Sequence, residues 1–287
     1  ALLAELSNDT RGIQFLNCVF NMPATTNFNV QGVSGIGDIE DLHIRNSLFV
    51  NGNAGIYIDA TNSTGLKIID NRFSEQYRYG VYAYDFVAPQ ISRNYIEVTN
   101  SNSSYNGFYL VNFSDGFRIN ANQVLIDKMG VGYYLYNMDG AAQDRGVVAN
   151  NFASIGAQYN GTNSMDAFYI LYSGYTDVVY NSANHLSSNG RAFYMVNNTN
   201  SLQFKNNIAM AGGGGYAYYS VNSTAISDYN NFISNGTYTF YNFSGGGDLA
   251  DLAAWQAATG MDAHSVSVDP LFVSDKDLHI TQSALDS

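Results

Sequence analysis

The chain has 287 residues, of which 46% are hydrophobic and only 13% charged, with a formal net charge of −12 and a pI near 4.4. The acidic balance argues against a nucleic-acid partner, which needs a basic face. No apolar run reaches the roughly 18 residues of a membrane span, and a single cysteine, Cys18, excludes an intramolecular disulfide.

No signal-peptide pattern opens the chain, and Ala1-Leu2-Leu3-Ala4 enters a repeat almost at once. An asparagine then returns nine times in the pattern apolar-x-Asn-x-apolar. Clear copies centre on Asn17, Asn46, Asn71, Asn150 and Asn206, and weaker ones on Asn94, Asn122, Asn181 and Asn230. The successive gaps are 29, 25, 23, 28, 28, 31, 25 and 24 residues. A period of this size signals a solenoid. Cys18 adjoins one of these positions and reads as a packed thiol.

Between the asparagines lies a strand of the form small-apolar-Tyr-apolar. It runs from Gly55-Ile56-Tyr57-Ile58 through Gly80-Val81-Tyr82-Ala83, Gly107-Phe108-Tyr109-Leu110, Gly132-Tyr133-Tyr134-Leu135, Ala167-Phe168-Tyr169-Ile170 and Ala192-Phe193-Tyr194-Met195 to Tyr216-Ala217-Tyr218-Tyr219. Alternate strand residues face opposite sides. Ile56, Val81, Phe108, Phe168 and Phe193 share the apolar, inward parity, while Tyr57, Tyr82, Tyr109, Tyr134, Tyr169, Tyr194 and Tyr218 are expected to face outward. The next outward column reads Asp59, Tyr84, Val111, Tyr136, Leu171, Val196 and Ser220. Turns rich in Asn, Ser, Gly and Asp separate the strands, and no helical period lies between them. The pattern predicts an all-β parallel β-helix of about nine rungs over residues 1–247. In it the nine asparagines stack as a hydrogen-bonded ladder.

The repeat breaks after Gly245-Gly246-Gly247. Asp248 through Thr259 reads as the one substantial helix, with Asp248 as N-cap and Gly260 as stop. Val266–Phe272 and Asp277–Ile280 read as closing strands, so that residues 248–287 cap the same domain.

These residues resemble the right-handed parallel β-helix, or pectate-lyase-like, superfamily. The C-terminal run Trp255…Gly260-Met261-Asp262…Asp269-Pro270-Leu271-Phe272…Asp277-Leu278-His279-Ile280…Ser283-Ala284-Leu285-Asp286 is similar to the closing segment of many secreted members. The repeats resemble those of the periplasmic copper-binding-type β-helix subfamily. The resemblance covers nearly the whole chain and implies a fold. It does not imply one activity, because members include lyases, glycoside hydrolases, tailspikes and non-enzymatic surface proteins.

A lyase of this superfamily is implied to need Ca²⁺-holding carboxylates and an Arg or Lys base, and a glycosidase needs two carboxylates about 5–9.5 Å apart. The best cluster in the sequence is Asp59, Glu75, Arg78 and Asp85, and it reads first as a few solvated turn charges and only second as a site. His43, His185, His264 and His279 lack metal-ligand spacing, which puts a copper role in doubt. Gly212–Gly215 lacks the signature of Ca²⁺-binding β-rolls. Neither a metal nor a cofactor is expected, and Ca²⁺ enters only with the lyase alternative.

Nine Asn-x-Ser/Thr sequons stand at Asn8, Asn62, Asn102, Asn112, Asn160, Asn197, Asn222, Asn235 and Asn242. They mark either N-glycosylation or turn-forming composition. Together these features lead to an extracellular or cell-surface, non-enzymatic module with an aromatic contact stripe. Its partner is another copy, in an oligomer or fibre, or a polysaccharide. The competing reading is a carbohydrate-active enzyme, a polysaccharide lyase first.

Overall fold

The computed structural model describes residues 2–158 and 165–285. The chain winds as a parallel β-solenoid of about nine turns, each laying one strand on each of three faces. The long face is an 11-stranded sheet. It begins with Leu2–Leu6 and Gln31–Gly37, passes through strands such as Ala54–Thr64, Tyr79–Val87 and Asn106–Ser114, and ends with Tyr216–Val221 and Phe240–Asn242. Gly247–Leu249 closes its edge antiparallel. Two nine-stranded parallel sheets of short strands, for example Lys67–Ile69 and Arg72–Ser74, form the other faces.

One backbone conformation makes the corner between the two short faces. Asn17, Asn46, Asp70, Arg93, Ala121, Asn150, Tyr180, Asn206 and Tyr229 occupy it in successive turns, all with φ between 50° and 60°. This left-handed region costs most L-residues about 1–2 kcal/mol, and Asn and Asp least. The residue after the corner points inward. There Asn71, Asn94, Asn122, Asn151, Asn181, Asn207 and Asn230 form the buried ladder. From Asn94 onward each amide oxygen accepts two bonds from the preceding member: Asn122 Oδ1 takes the Asn94 N–H at 3.0 Å and its Nδ2 at 2.9 Å. Each Nδ2 also reaches a backbone carbonyl, as Asn122 does to Ile91 at 2.9 Å.

The ladder corrects four of the nine sequence assignments. Asn150 and Asn206 belong to the corner, and their neighbours Asn151 and Asn207 are the members. Two adjacent asparagines both fit the sequence pattern, and the inward-pointing parity selects the second. Asn17 and Asn46 are also corner residues, joined side chain to side chain. In those first turns Cys18 and Ser47 hold the ladder place: the Cys18 N–H donates to Ser47 Oγ, and the Ser47 N–H to Asn71 Oδ1, each at 3.0 Å.

The core is continuous. The expected inward residues Ile56, Val81, Phe108, Phe168 and Phe193 are all fully buried. Rings of Phe108, Tyr133, Phe168 and Phe193 stack at 4.5–5.1 Å between centroids. Tyr218 belongs to this inward column, in register with Phe193, so its assignment to the outward stripe is corrected. The last copy has tyrosines side by side at 218 and 219, and Tyr219 is the outward one, paired with Tyr194. The same one-residue shift puts Val221, not Ser220, in the neighbouring outward column.

At the C-terminal end the helix spans Leu252–Thr259 with Asp251 as N-cap, its carboxylate accepting the Ala254 N–H at 2.8 Å. Asp248 instead lies in the edge strand and accepts the Tyr216 hydroxyl at 2.7 Å. Trp255 is buried, stacked on Phe240 at 5.1 Å, and so covers the last turn. The buried Asp262 ends the ladder, accepting from Asn230 Nδ2, Ser227 Oγ, Ser265 Oγ and Trp255 Nε1. The final strands, Phe272–Ser274 and Asp277–Ile280, do not close that end. They form an antiparallel hairpin along the flank, where Lys276 meets Glu97 and Asp127 at 3.2 Å each and the His279 ring meets Phe152 at 5.0 Å.

Candidate functional site

The parallel register of the long sheet puts one tyrosine above the next. Tyr57, Tyr82, Tyr109, Tyr134, Tyr169, Tyr194, Tyr219 and Tyr241 form one outward column of half-buried side chains. Most neighbours are parallel and close, from 4.1 Å for Tyr219 and Tyr241 to 5.2 Å for Tyr82 and Tyr109. Two joints are edge-on, Tyr134 with Tyr169 at 88° and Tyr194 with Tyr219 at 89°. The ring faces are therefore taken by neighbouring rings, and the column presents ring edges and hydroxyls outward. Partial burial raises the phenols of Tyr57, Tyr82, Tyr134, Tyr169 and Tyr219, the last two up to about 12, so these five remain neutral donors at any physiological pH.

Charge enters this face beside the column. The Arg191 guanidinium lies 3.8 Å from the centre of the Tyr194 ring and 5.2 Å from that of Tyr219. It is held by the buried Asp166, with Nη2 donating to Oδ2 at 3.0 Å. Burial pushes the Asp166 carboxyl up against the pull of Arg191. Sequence reasoning did not single out this pair. Its signal was present, since Asp166 and Arg191 each precede a small-Phe-Tyr triplet, and aligning the repeats puts one directly above the other. Tyr241 was missed because its strand, Phe240–Asn242, lacks the small-apolar prefix.

The four charged candidates make no direct contact with one another. Asp59 lies on the long face beside the tyrosines, its carboxyl raised by burial. The Glu75 carboxylate accepts the Thr99 N–H at 2.9 Å and its hydroxyl at 2.8 Å. Arg78 sits over the Tyr79 ring at 5.1 Å. Asp85 occupies a left-handed corner and accepts the Asn62 N–H at 2.7 Å. Among the described residues no ion pair or hydrogen bond joins any two of the four. His43 is half-buried, His185 is fully buried, His264 pairs with Asp228, and His279 pairs with Asp277. Among the described residues no three His, Cys, Asp or Glu side chains are grouped to hold a metal ion.

The sequons have a backbone explanation at one corner. Asn62, Asn112, Asn197 and Asn222 follow the tyrosine strand with φ of 44°, 55°, 50° and 50°, and Asp85, Asn137 and Tyr172 hold the same place in other turns. Asn8, Asn62, Asn222 and Asn235 are exposed, whereas Asn102, Asn112, Asn197 and Asn242 are half-buried. Asn160 lies outside the described residues. No helix among the described residues is long and apolar enough to cross a membrane. No family model, curated protein or solved structure matches the chain.

Proposed function

We propose that this chain is a non-enzymatic, extracellular or cell-surface contact module whose tyrosine face packs against the same face of a second copy. The observation that carries the reading is the eight-tyrosine outward column on a long sheet. Rings that already stack on each other offer few free faces to a sugar. They do offer a straight rail of apolar edges and neutral hydroxyls, which suits a flat protein surface. Two-fold pairing brings a patch against its own copy, and rails of one spacing match in register. We infer that the coil is right-handed and of the pectate-lyase-like kind, since parallel crossovers are almost always right-handed. In a glycosylating host the exposed Asn8, Asn62, Asn222 and Asn235 are the sites that would carry glycans. Glu75, Arg78 and Asp85 are engaged by Thr99, Tyr79 and Asn62 rather than by each other, which weighs against the lyase alternative and its Ca²⁺. Sedimentation velocity over a concentration series, on the wild type and on the Tyr109→Thr/Tyr134→Thr variant, tests the reading. The wild type is expected to associate and the variant to stay monomeric.

A further inference from the structure

A second aromatic site lies on a different edge of the solenoid. At the corner between the short faces, three successive turns place Tyr180, Asn206 and Tyr229 in the left-handed conformation. Elsewhere this column holds mostly Asn and Asp, and a bulky ring gains nothing from such a backbone. Tyr180 and Tyr229 are nevertheless 59% and 52% exposed. Beyond Tyr229 the His264 ring lies parallel to it, 4.8 Å between centroids and 7° between planes. His264 is fixed by Asp228, which takes its backbone N–H at 2.9 Å and its ring Nδ1 at 2.8 Å. Burial pushes the Asp228 carboxyl up, but these bonds and the Tyr229 N–H outweigh it and hold the carboxyl below its ordinary value. One face of Tyr229 is thus covered by His264, and Tyr180, two turns away in the same corner column, lines one pocket with Tyr229 and Asn206. The short Asn206 amide has no hydrogen-bond partner among the described residues, so the space outside it forms a cleft. Ile280 and Leu285 of the C-terminal segment supply the opposite wall.

We propose that this cleft binds one pyranose ring of a neutral polysaccharide between Tyr180 and Tyr229. Two turns of the stack separate the tyrosines by roughly 9–10 Å. One inserted ring at the short end of stacking distances, about 4.5 Å on each side, fills that gap. The Asn206 amide, which lines the same pocket, supplies a polar contact at the ring's rim. The lining holds no Asp, Glu, Lys or Arg, which selects an uncharged ligand, and the net charge of −12 disfavours phosphate-bearing rings. The site is independent of the tyrosine face and stands whether or not that face associates.

The test measures binding of neutral oligosaccharides (hexamers of glucose, xylose, mannose and galactose) by titration calorimetry and saturation-transfer NMR. It compares the wild type with Tyr180→Ala/Tyr229→Ala and with Asn206→Tyr. The last variant inserts a third ring in a conformation that Tyr180 and Tyr229 already adopt, so thermal melting should show it folded. At least one sugar is expected to bind the wild type in the micromolar to millimolar range. Affinity should fall at least about tenfold in the double variant, the scale of a lost stacking contact, and vanish in Asn206→Tyr. Failure of every sugar to bind, equal binding by all three proteins, or tighter capture of an aromatic peptide than of any sugar would overturn the proposal.

Discussion

Adjacent asparagines in this chain do unlike jobs, and the difference is measurable. Asn122 is buried and its oxygen accepts two bonds from Asn94. Asn122→Leu strands both donors and is expected to cost about 2–5 kcal/mol, read as a lower melting midpoint and faster exchange of the Asn94 amide. Asn150 is exposed and serves only the corner, so Asn150→Ala should cost about 1 kcal/mol or less, and Asn150→Gly almost nothing. A second residue-scale prediction concerns His185, which is fully buried with Nε2 unpartnered. Burial lowers it from 6.5 to about 3, and the charge of Arg191 lowers it further. The folded state then binds fewer protons than the unfolded one between those values. Stability is fully present above pH 6.5 and falls as pH drops toward 3. The melting temperature of His185→Gln should depend less on pH than that of the wild type across this window.

At the scale of elements, the repeat was legible because stacking makes like residues recur. The apolar parity and the tyrosine parity both survive as read, from Ile56 and Tyr57 to Phe193 and Tyr194. What failed was frame. Asn150-Asn151, Asn206-Asn207 and Tyr218-Tyr219 each offer two residues of one type, and only the direction of the corner decides between them. Another pattern was hidden because it couples two faces. A Cβ at Gly80 would stand 2.6 Å from Ile96 Cδ1, and one at Gly107 2.7 Å from Val124 Cγ1. Later turns replace those partners by Ala153, Ala183 and Ala209, and Ala167 and Ala192 are then accommodated opposite the last two. The cap was foreseen as a helix but not its start, since Asp248 and Asp251 are both fair N-caps and the edge strand claims the first. Trp255→Ala should remove the lid on Phe240 and Tyr218 and strip one donor from Asp262. The expected cost is about 3–5 kcal/mol, with hydrogen exchange rising first in the last turn, around Phe240.

For the molecule as a whole, the architecture was written in the sequence and the contact surfaces only in part. The tyrosine column was legible as a period, but the self-stacking that hides its ring faces depends on rotamers that no spacing reveals. The corner cleft was not foreseen, because Tyr180 and Tyr229 precede ladder asparagines and break no rule of the repeat. Glu75 and Asp85 both sit in the left-handed backbone region, and their carboxylates are taken up by Thr99 and Asn62 of neighbouring turns, which no spacing reveals. With the C-terminal turn covered by Trp255, association is expected along the flank. The most direct measurement of that central claim is sedimentation velocity of the wild type beside Tyr109→Thr/Tyr134→Thr at matched concentrations. The account predicts a wild-type dimer with a lower frictional ratio than its monomer, as side-by-side rods give, and a variant that sediments as monomer throughout. A wild type that stays monomeric at high concentration, or a dimer that elongates and survives in the variant, would contradict it.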